Sequence, residues 1–597
     1  MANISSLGTE ILIEIFQYVD DESPRTTKRS LLLVNKHFYA ATQLVAHRRK
    51  TICYTDNTLK ETNKRIQTWL QDPLLLRNVR HLTLTGYMYR PDRLSGDPIP
   101  SSSDLTSMWV PLVELVTKAA RLTKVSFDIA TVKFPLPLLQ ALQTYHAQVK
   151  LYIWGYHREE ELDHTDPAEQ ALAISPILRG IKGSAWVDQR SPKIDLRTAA
   201  FQRIVANAPN LELASFSKGR TGCMPPSKDQ VRKREAAAKF FLDSRGPNTS
   251  IRKLVLDGFD ISKQTLVKWG THVSLPHLED LKISRGTPDR TYFEAAPALL
   301  TNLKHLSLNL SGVITHSEIP RLLEGYLATC APLETLSLWS WMGVVSIDAI
   351  LKHGTTLKKL ELHEREASIF NDRRRLLSVE DVRRIGKGCP HLEDLTLDLD
   401  REDADWRKDL DYQKDILEEL AQLGKRLRRI QIYLDLGIAM ASRGRALAAV
   451  QAQSSQITMP GAGIHDSERT TDHTALCLLS AAAANVATEP VSRDYRGPFK
   501  PPSTAEMCKH GQQLWKTIFG KPTQFGPREL DIKWGEWERK QGSGHLASWV
   551  FWEQRRKRYL RVRPAGRDDR PGEAIVHVEG GCRQQDDDDD KADNYPY

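Results

Sequence analysis

Leu333-Glu334-Thr335-Leu336-Ser337-Leu338-Trp339 and Leu357-Lys358-Lys359-Leu360-Glu361-Leu362-His363 carry apolar residues at the same first, fourth and sixth positions. The spacing returns at Ile251/Leu254/Leu256, Leu278/Leu281/Ile283, Leu303/Leu306/Leu308, Leu392/Leu395/Leu397 and Leu427/Ile430/Ile432, with first positions 24 to 35 residues apart. Alternation of the last two apolar positions predicts a short strand with one apolar face. The stretches Ile319 to Leu327 and Val379 to Ile385, which precede two of the copies, read as helices. A strand-plus-helix unit cannot bury its apolar face alone, so such units must stack into a solenoid. The predicted fold class is therefore α/β.

Fainter copies, Val79/Leu82/Leu84, Leu122/Val125/Phe127 and Leu211/Ala214/Phe216, extend the pattern towards the N-terminus. A small residue stands three before the first apolar position at Ala208, Cys330, Gly354, Cys389 and Gly424. Together these features resemble leucine-rich repeats, over residues 55–436 and degenerate before about residue 250. The strand leucines are then structural, and the residues between them line the concave face. The outward set includes Asp280, Lys282, His305, Asn309, Trp339, Glu361, His363, Asp398, Gln431 and Tyr433. Large aromatics among polar neighbours have the composition of a binding hot spot, so Trp339, His363 and Tyr433 are the candidate target-binding residues. A plain solvated face, or Trp339 packed under Trp341, is the competing reading.

In the first fifty residues, Leu7, Ile11, Leu12, Ile15, Phe16 and Val19 fall on one stripe of an amphipathic helix, with Glu10, Glu14 and Gln17 opposite. Asp20, Asp21, Ser23 and Pro24 break it, and Leu31 to Val34 restart the apolar pattern. So apolar a segment cannot bury both sides by itself, and a partner should cover one. Residues 1–54 resemble an F-box: Leu7-Gly8-Thr9-Glu10-Ile11-Leu12, Ile15-Phe16, Val34-Asn35-Lys36-His37-Phe38 and a closing Arg48. The resemblance implies a short all-helical module docking a Skp-family adaptor, and through it a cullin, by way of Leu7, Gly8, Ile11, Leu12, Ile15, Phe16, Leu32, Val34, Asn35 and Phe38. The family usually has proline where Gly8 stands; glycine leaves the first turn looser and weakens adaptor affinity. An ordinary helical hairpin capping the repeats is the alternative.

Residues 437–504 are rich in alanine, serine and glutamine and read as a linker. Residues 505–580 regain aromatics, Trp515, Phe519, Trp534, Trp537, Trp549, Phe551 and Trp552, and predict a small packed element able to cap the solenoid. The stretch Arg555 to Arg570 holds eight basic and two acidic residues, read first as a solvated cap surface and second as a nuclear-import or nucleic-acid patch. Residues 581–597, with Asp586 to Asp590, read as a disordered acidic tail.

Composition narrows the function classes. The 597 residues exceed one ordinary core, and 7 scattered cysteines without a Cys-x-x-Cys pair predict free thiols in a reducing compartment. No leader-like start or long apolar run points to export or a membrane, and +9 is too modest for this length to imply a nucleic-acid partner. His157, Glu160, Glu161 and His164 share a helical spacing but lie in a polar, turn-like stretch; Gly461-Ala462-Gly463 follows no strand; Cys508 and His510 lack an orienting third group. No catalytic site, metal or cofactor is therefore expected. The resemblance implies a cytoplasmic or nuclear substrate-recognition subunit of an SCF-type ubiquitin ligase, non-catalytic itself, with an unknown protein substrate. The alternatives are a repeat scaffold not assembled into a ligase, and an RNA- or chromatin-associated protein acting through the basic stretch.

Overall fold

The computed structural model describes residues 7–22, 31–55, 59–87, 107–130, 132–156, 166–188, 196–221, 247–259, 261–284, 286, 288–310, 318–364, 376–399, 414–423, 427–434, 504–519, 529–534, 558–564 and 574–579. The chain divides into two compact units, Met1–Leu303 and Lys304–Tyr597.

The first unit opens with helices Thr9–Glu22 and Lys36–Arg48. Asn35 starts the second, its side-chain oxygen accepting from the Phe38 N–H at 2.9 Å, the ordinary way to satisfy one orphan donor of a first turn. Eight strands follow: β1 (Arg49–Thr55), β2 (His81–Tyr87), β3 (Lys124–Ala130), β4 (Lys150–Tyr156), β5 (Leu178–Asp188), β6 (Leu213–Thr221), β7 (Lys253–Asp257) and β8 (Asp280–Ser284). Each pairs in parallel with the next in chain order. Helices such as Val110–Lys118, Leu136–Tyr145 and Lys263–Gly270 make the crossovers that parallel neighbours require.

The second unit continues the plan with β9 (His305–Asn309), β10 (Thr335–Trp339), β11 (Lys359–His363), β12 (Asp394–Leu399), β13 (Arg429–Leu434) and β14 (Glu529–Trp534), again parallel, while β15 (Arg558–Pro564) and β16 (Ala574–Glu579) are antiparallel. Successive parallel strands joined by crossover helices form the leucine-rich-repeat fold expected from the spacing. The register aligns the repeat positions: Leu336 pairs with Leu306 and Leu360, and Leu338 with Leu308 and Leu362. All six are at most 1 % exposed, so the predicted leucines form the core.

The small position ends a helix. Cys330 and Cys389 are the C-cap residues of Ile319–Thr329 and Val379–Gly388. At Gly354 a Cβ would stand 2.1 Å from the Gly388 carbonyl oxygen, so only glycine permits that approach of neighbouring turns. Gly424 lies outside the described residues.

Two expected boundaries shift. The sheet starts at Arg49, inside the segment assigned to the N-terminal helices. The parallel ladder also runs past residue 436, because helix Thr504–Phe519 packs on Lys414–Leu423 and leads into β14. Residues 505–580 thus add a further repeat strand and an antiparallel pair. The linker 437–503, the acidic tail, Trp537, Trp549, Phe551 and Trp552 lie outside the described residues.

Candidate functional site

Two surfaces carry the residues expected to bear on function, one in each unit. In the N-terminal helices the apolar stripe splits. Leu12, Phe16 and Phe38 pack with Ala41 and Val45 into a small core, the Phe16 and Phe38 rings meeting edge to face at 5.1 Å. Leu7 and Ile15 are half-buried against that core. Leu32 is half-buried, Gly8 is exposed, and Asn35 serves as the cap. Facing solvent are Ile11 at 49 %, Leu33 at 86 %, Val34 at 57 % and Tyr39 at 46 % exposure. Of the nine exposed large hydrophobics among the described residues, these four fall within residues 11–39, which makes the segment an apolar surface rather than scattered exposure. The sequence reading placed Leu33 in the apolar stretch Leu31 to Val34 but not in the docking set, because helical periodicity does not apply to the turn at residues 33–34, and it missed Tyr39, which lies just off the stripe.

In the second unit, the last outward position of each strand forms one row: Asn309 pairs in register with Trp339, Trp339 with His363, Asp398 with Tyr433, and Tyr433 with Lys533. The three predicted aromatics are brought together. Trp339 meets His363 nearly at right angles with centroids 4.7 Å apart, His363 stacks on Tyr433 at 3.9 Å, and Trp339 lies 6.4 Å from Tyr433. His363 Nδ1 bonds Asp398 Oδ1 at 2.6 Å, and Asp398 Oδ2 accepts the Glu364 N–H at 2.5 Å. Glu364 Oε1 in turn accepts the Met342 N–H at 2.6 Å, which ties the turn after β10 to the cluster.

That turn contains Ser340, a residue in the left-handed region at φ 56° whose N–H donates to the His363 carbonyl at 2.7 Å. His363 and Tyr433 are 1 % and 2 % exposed, whereas Trp339 is half-buried. Trp339 is thus the accessible member, and His363, Tyr433 and Asp398 hold it from beneath. Trp341 is buried separately at 3 % exposure.

Lys533 completes the row, its Nζ 5.1 Å from the Tyr433 ring and 3.4 Å from the Tyr433 hydroxyl. Burial pulls its ammonium below the ordinary lysine range, opposed by Glu361 and Asp531. Asp531, fully buried, is paired to Arg429 through Nε at 2.7 Å and also through Nη2. Sequence reading overlooked Lys533 because Pro527 stands where the first leucine of its repeat would be; the Leu530-x-Ile532 alternation was the available signal.

Among the described residues no group of three or more His, Cys, Asp or Glu could hold a metal, and no helix is long and apolar enough to cross a membrane. His157, Glu160, Glu161, His164 and Gly461 to Gly463 lie outside the described residues.

No family model matches the chain, and no curated protein matches it. Among solved structures it is similar to the Rad7 and Elc1 complex in yeast, at 13% identity and TM-score 0.31, over 72% of this chain and 94% of that one. It is also similar to the TLR13–ssRNA13 complex, at 13% identity and TM-score 0.24, over 60% of this chain and 57% of that one. Likeness this loose carries no inference about partner or ligand.

Proposed function

We propose that this chain is the substrate-recognition subunit of an SCF-type (Skp–cullin–F-box) ubiquitin ligase, acting in the cytoplasm, the nucleus or both. The N-terminal helices bind a Skp-family adaptor, which bridges to a cullin, and the outward face of the repeats binds a protein target. The chain supplies no catalytic group. Its contribution is proximity, which holds the target's lysines near a ubiquitin-charged enzyme.

The observation that carries this reading is the solvent-facing set Ile11, Leu33, Val34 and Tyr39 on a helical module that already has its own core. Burying such a set needs a second chain with an apolar groove. The F-box-like motif around these residues favours a Skp-family adaptor as that chain.

The test is capture of a purified Skp-family adaptor by the full chain. Ile11→Asp with Val34→Asp buries unpaired carboxylates in the interface, a cost of several kcal/mol, while leaving the Leu12/Phe16/Phe38 core alone. Loss of capture with an unchanged unfolding midpoint supports the reading. Undiminished capture overturns the assignment of this surface. Failure of the unaltered chain to capture adaptor favours the second reading, a repeat scaffold outside any ligase, for which Gly8 in place of proline is the motivating feature.

A further inference from the structure

Backbone hydrogen bonds put the strand starts of the first repeats in line: Arg80 N–H donates to the Arg48 carbonyl at 2.9 Å, Thr123 N–H to the Arg80 carbonyl at 2.8 Å, and Lys150 N–H to the Thr123 carbonyl at 2.9 Å. The register continues this edge through His81, Lys124 and Lys150 on β2, β3 and β4. Arg48, Arg80, Lys124 and Lys150 thus collect at one edge, the lysines exposed and the arginines half-buried, and the exposed Arg121 joins them within electrostatic reach of Arg48.

None of these five forms an ion pair among the described residues. Burial, and then the positive charges of Arg80 and Arg121, depress the Arg48 pKa, so the guanidinium groups are near enough to repel one another. The same edge in later repeats is built differently. Arg179 pairs with Glu212 at 3.7 Å, Arg252 with Glu279 at 3.7 Å, and Lys253 with Asp280 at 2.6 Å. Where an acid stands on the adjoining rung the cation is neutralised, and on the first four strands no such acid stands there. Asp128, the outward acid of β3, lies two side-chain positions further along its strand from Lys124.

We propose that this edge binds a short anionic peptide segment of the recruited target, its carboxylates or phosphates standing in for the acids that the first repeats lack. The proposal rests on the chain being a target receptor. Adjacent strands are about 4.8 Å apart, so four rungs span about 14 Å, the reach of four or five extended residues. A nucleic acid fits less well. The positive track stops at the Arg179–Glu212 pair. The aromatic platform beside Lys124 is also in use, since Tyr152 stacks on Trp154 at 5.6 Å and lies under Lys124 Nζ at 5.0 Å, leaving no free face for a base.

The experiment measures fluorescence anisotropy with the full chain and no adaptor, so its result is separate from adaptor capture. Three labelled probes are used: hexaglutamate, a neutral peptide bearing two phosphoserines, and single-stranded DNA of 20 nucleotides. Binding of either peptide should weaken about tenfold in Lys124→Glu with Lys150→Glu, and more with Arg80→Glu added. Lys253→Gln, at a position already paired, should bind like the unaltered chain. Preference for one peptide identifies carboxylate or phosphate as the ligand group. Because Arg80 is half-buried, Lys124→Gln with Lys150→Gln serves as the milder variant, with an unchanged unfolding midpoint and about threefold weaker binding expected. Peptide binding that ignores both exposed lysines, or DNA bound more tightly than either peptide through the same residues, overturns the proposal.

Discussion

His363 and Tyr433 lie ring on ring, centroids 3.9 Å apart and planes 27° from parallel, although β12 runs between their strands. The two rings bridge a two-strand gap because the residue between them in the row is the short Asp398, whose carboxylate binds the His363 edge instead of filling the space above. An aromatic shelf results, and Trp339 stands against it. Asp398→Ala removes the acceptor for both His363 Nδ1 and the Glu364 N–H, so a destabilisation of about 2 to 4 kcal/mol is expected from denaturant unfolding. Trp339→Ala, at a half-buried site, should cost less stability and more target binding. A larger stability loss for Trp339→Ala than for Asp398→Ala would show that the shelf does not depend on the carboxylate.

Leu336→Ala and Leu395→Ala each empty a site at most 1 % exposed and should cost about 2 to 5 kcal/mol. Ser337 and Thr396, the outward neighbours, are themselves 5 % exposed, so they are covered rather than solvated. Ser337→Ala and Thr396→Ala should still cost well under half as much, since each removes few apolar atoms. Equal shifts of the unfolding midpoint for the two classes would contradict the register.

The repeats were legible because their spacing is a packing rule: Leu336 and Leu360 must meet in register, and nothing else meets the burial requirement. The first repeats were harder to read since their cores are mixed. Tyr54 and Trp109 pack at 5.1 Å and Phe127 and Phe134 at 5.0 Å, so leucines no longer mark the positions. Burial of His363 and Tyr433 could not be read at all. Alternation tells which side of the sheet a residue takes, but not whether its neighbours across the strands will lean over it.

His272 and His353 are 2 % and 3 % exposed, and burial is the main cause holding both below the ordinary imidazole range. The unfolded chain takes up these protons near pH 6.5 and the folded chain only at lower pH, so in that window the unfolded state binds more protons. Their contribution to stability is present above about pH 6.5 and lost as the pH falls towards the folded values. The unfolding midpoint should drop between about pH 7 and pH 5. In His353→Gln, where the amide oxygen can still accept the Leu333 N–H, the drop should be shallower. A midpoint flat across this range would contradict the burial of both rings.

Cys330 and Cys389 have thiols pushed up to about 11 by burial, while Cys53 is exposed. Thiolate is the reactive form, so at about pH 8 an alkylating reagent should modify Cys53 well before the other two. Mass spectrometry of the partly modified folded chain reads this directly. Early labelling of Cys389 would mean that the cap of Val379–Gly388 opens readily.

Removing residues 504–597 tests whether the C-terminal element belongs to the array. β14 covers the edge of β13 over Arg429 to Leu434, and helix Thr504–Phe519 buries Leu514, Trp515, Ile518 and Phe519. Truncation would leave a six-residue edge with unpaired backbone groups, a site for pairing with another chain. It would also separate Arg429 from Asp531 and Tyr433 from Lys533, taking the support from one side of the Trp339 shelf. The shortened protein should therefore unfold at lower denaturant concentration and self-associate in sedimentation experiments, while adaptor capture by the N-terminal helices is retained. If residues 1–503 stay monomeric with an unchanged midpoint, β14 is an appendage, and the solenoid ends at β13.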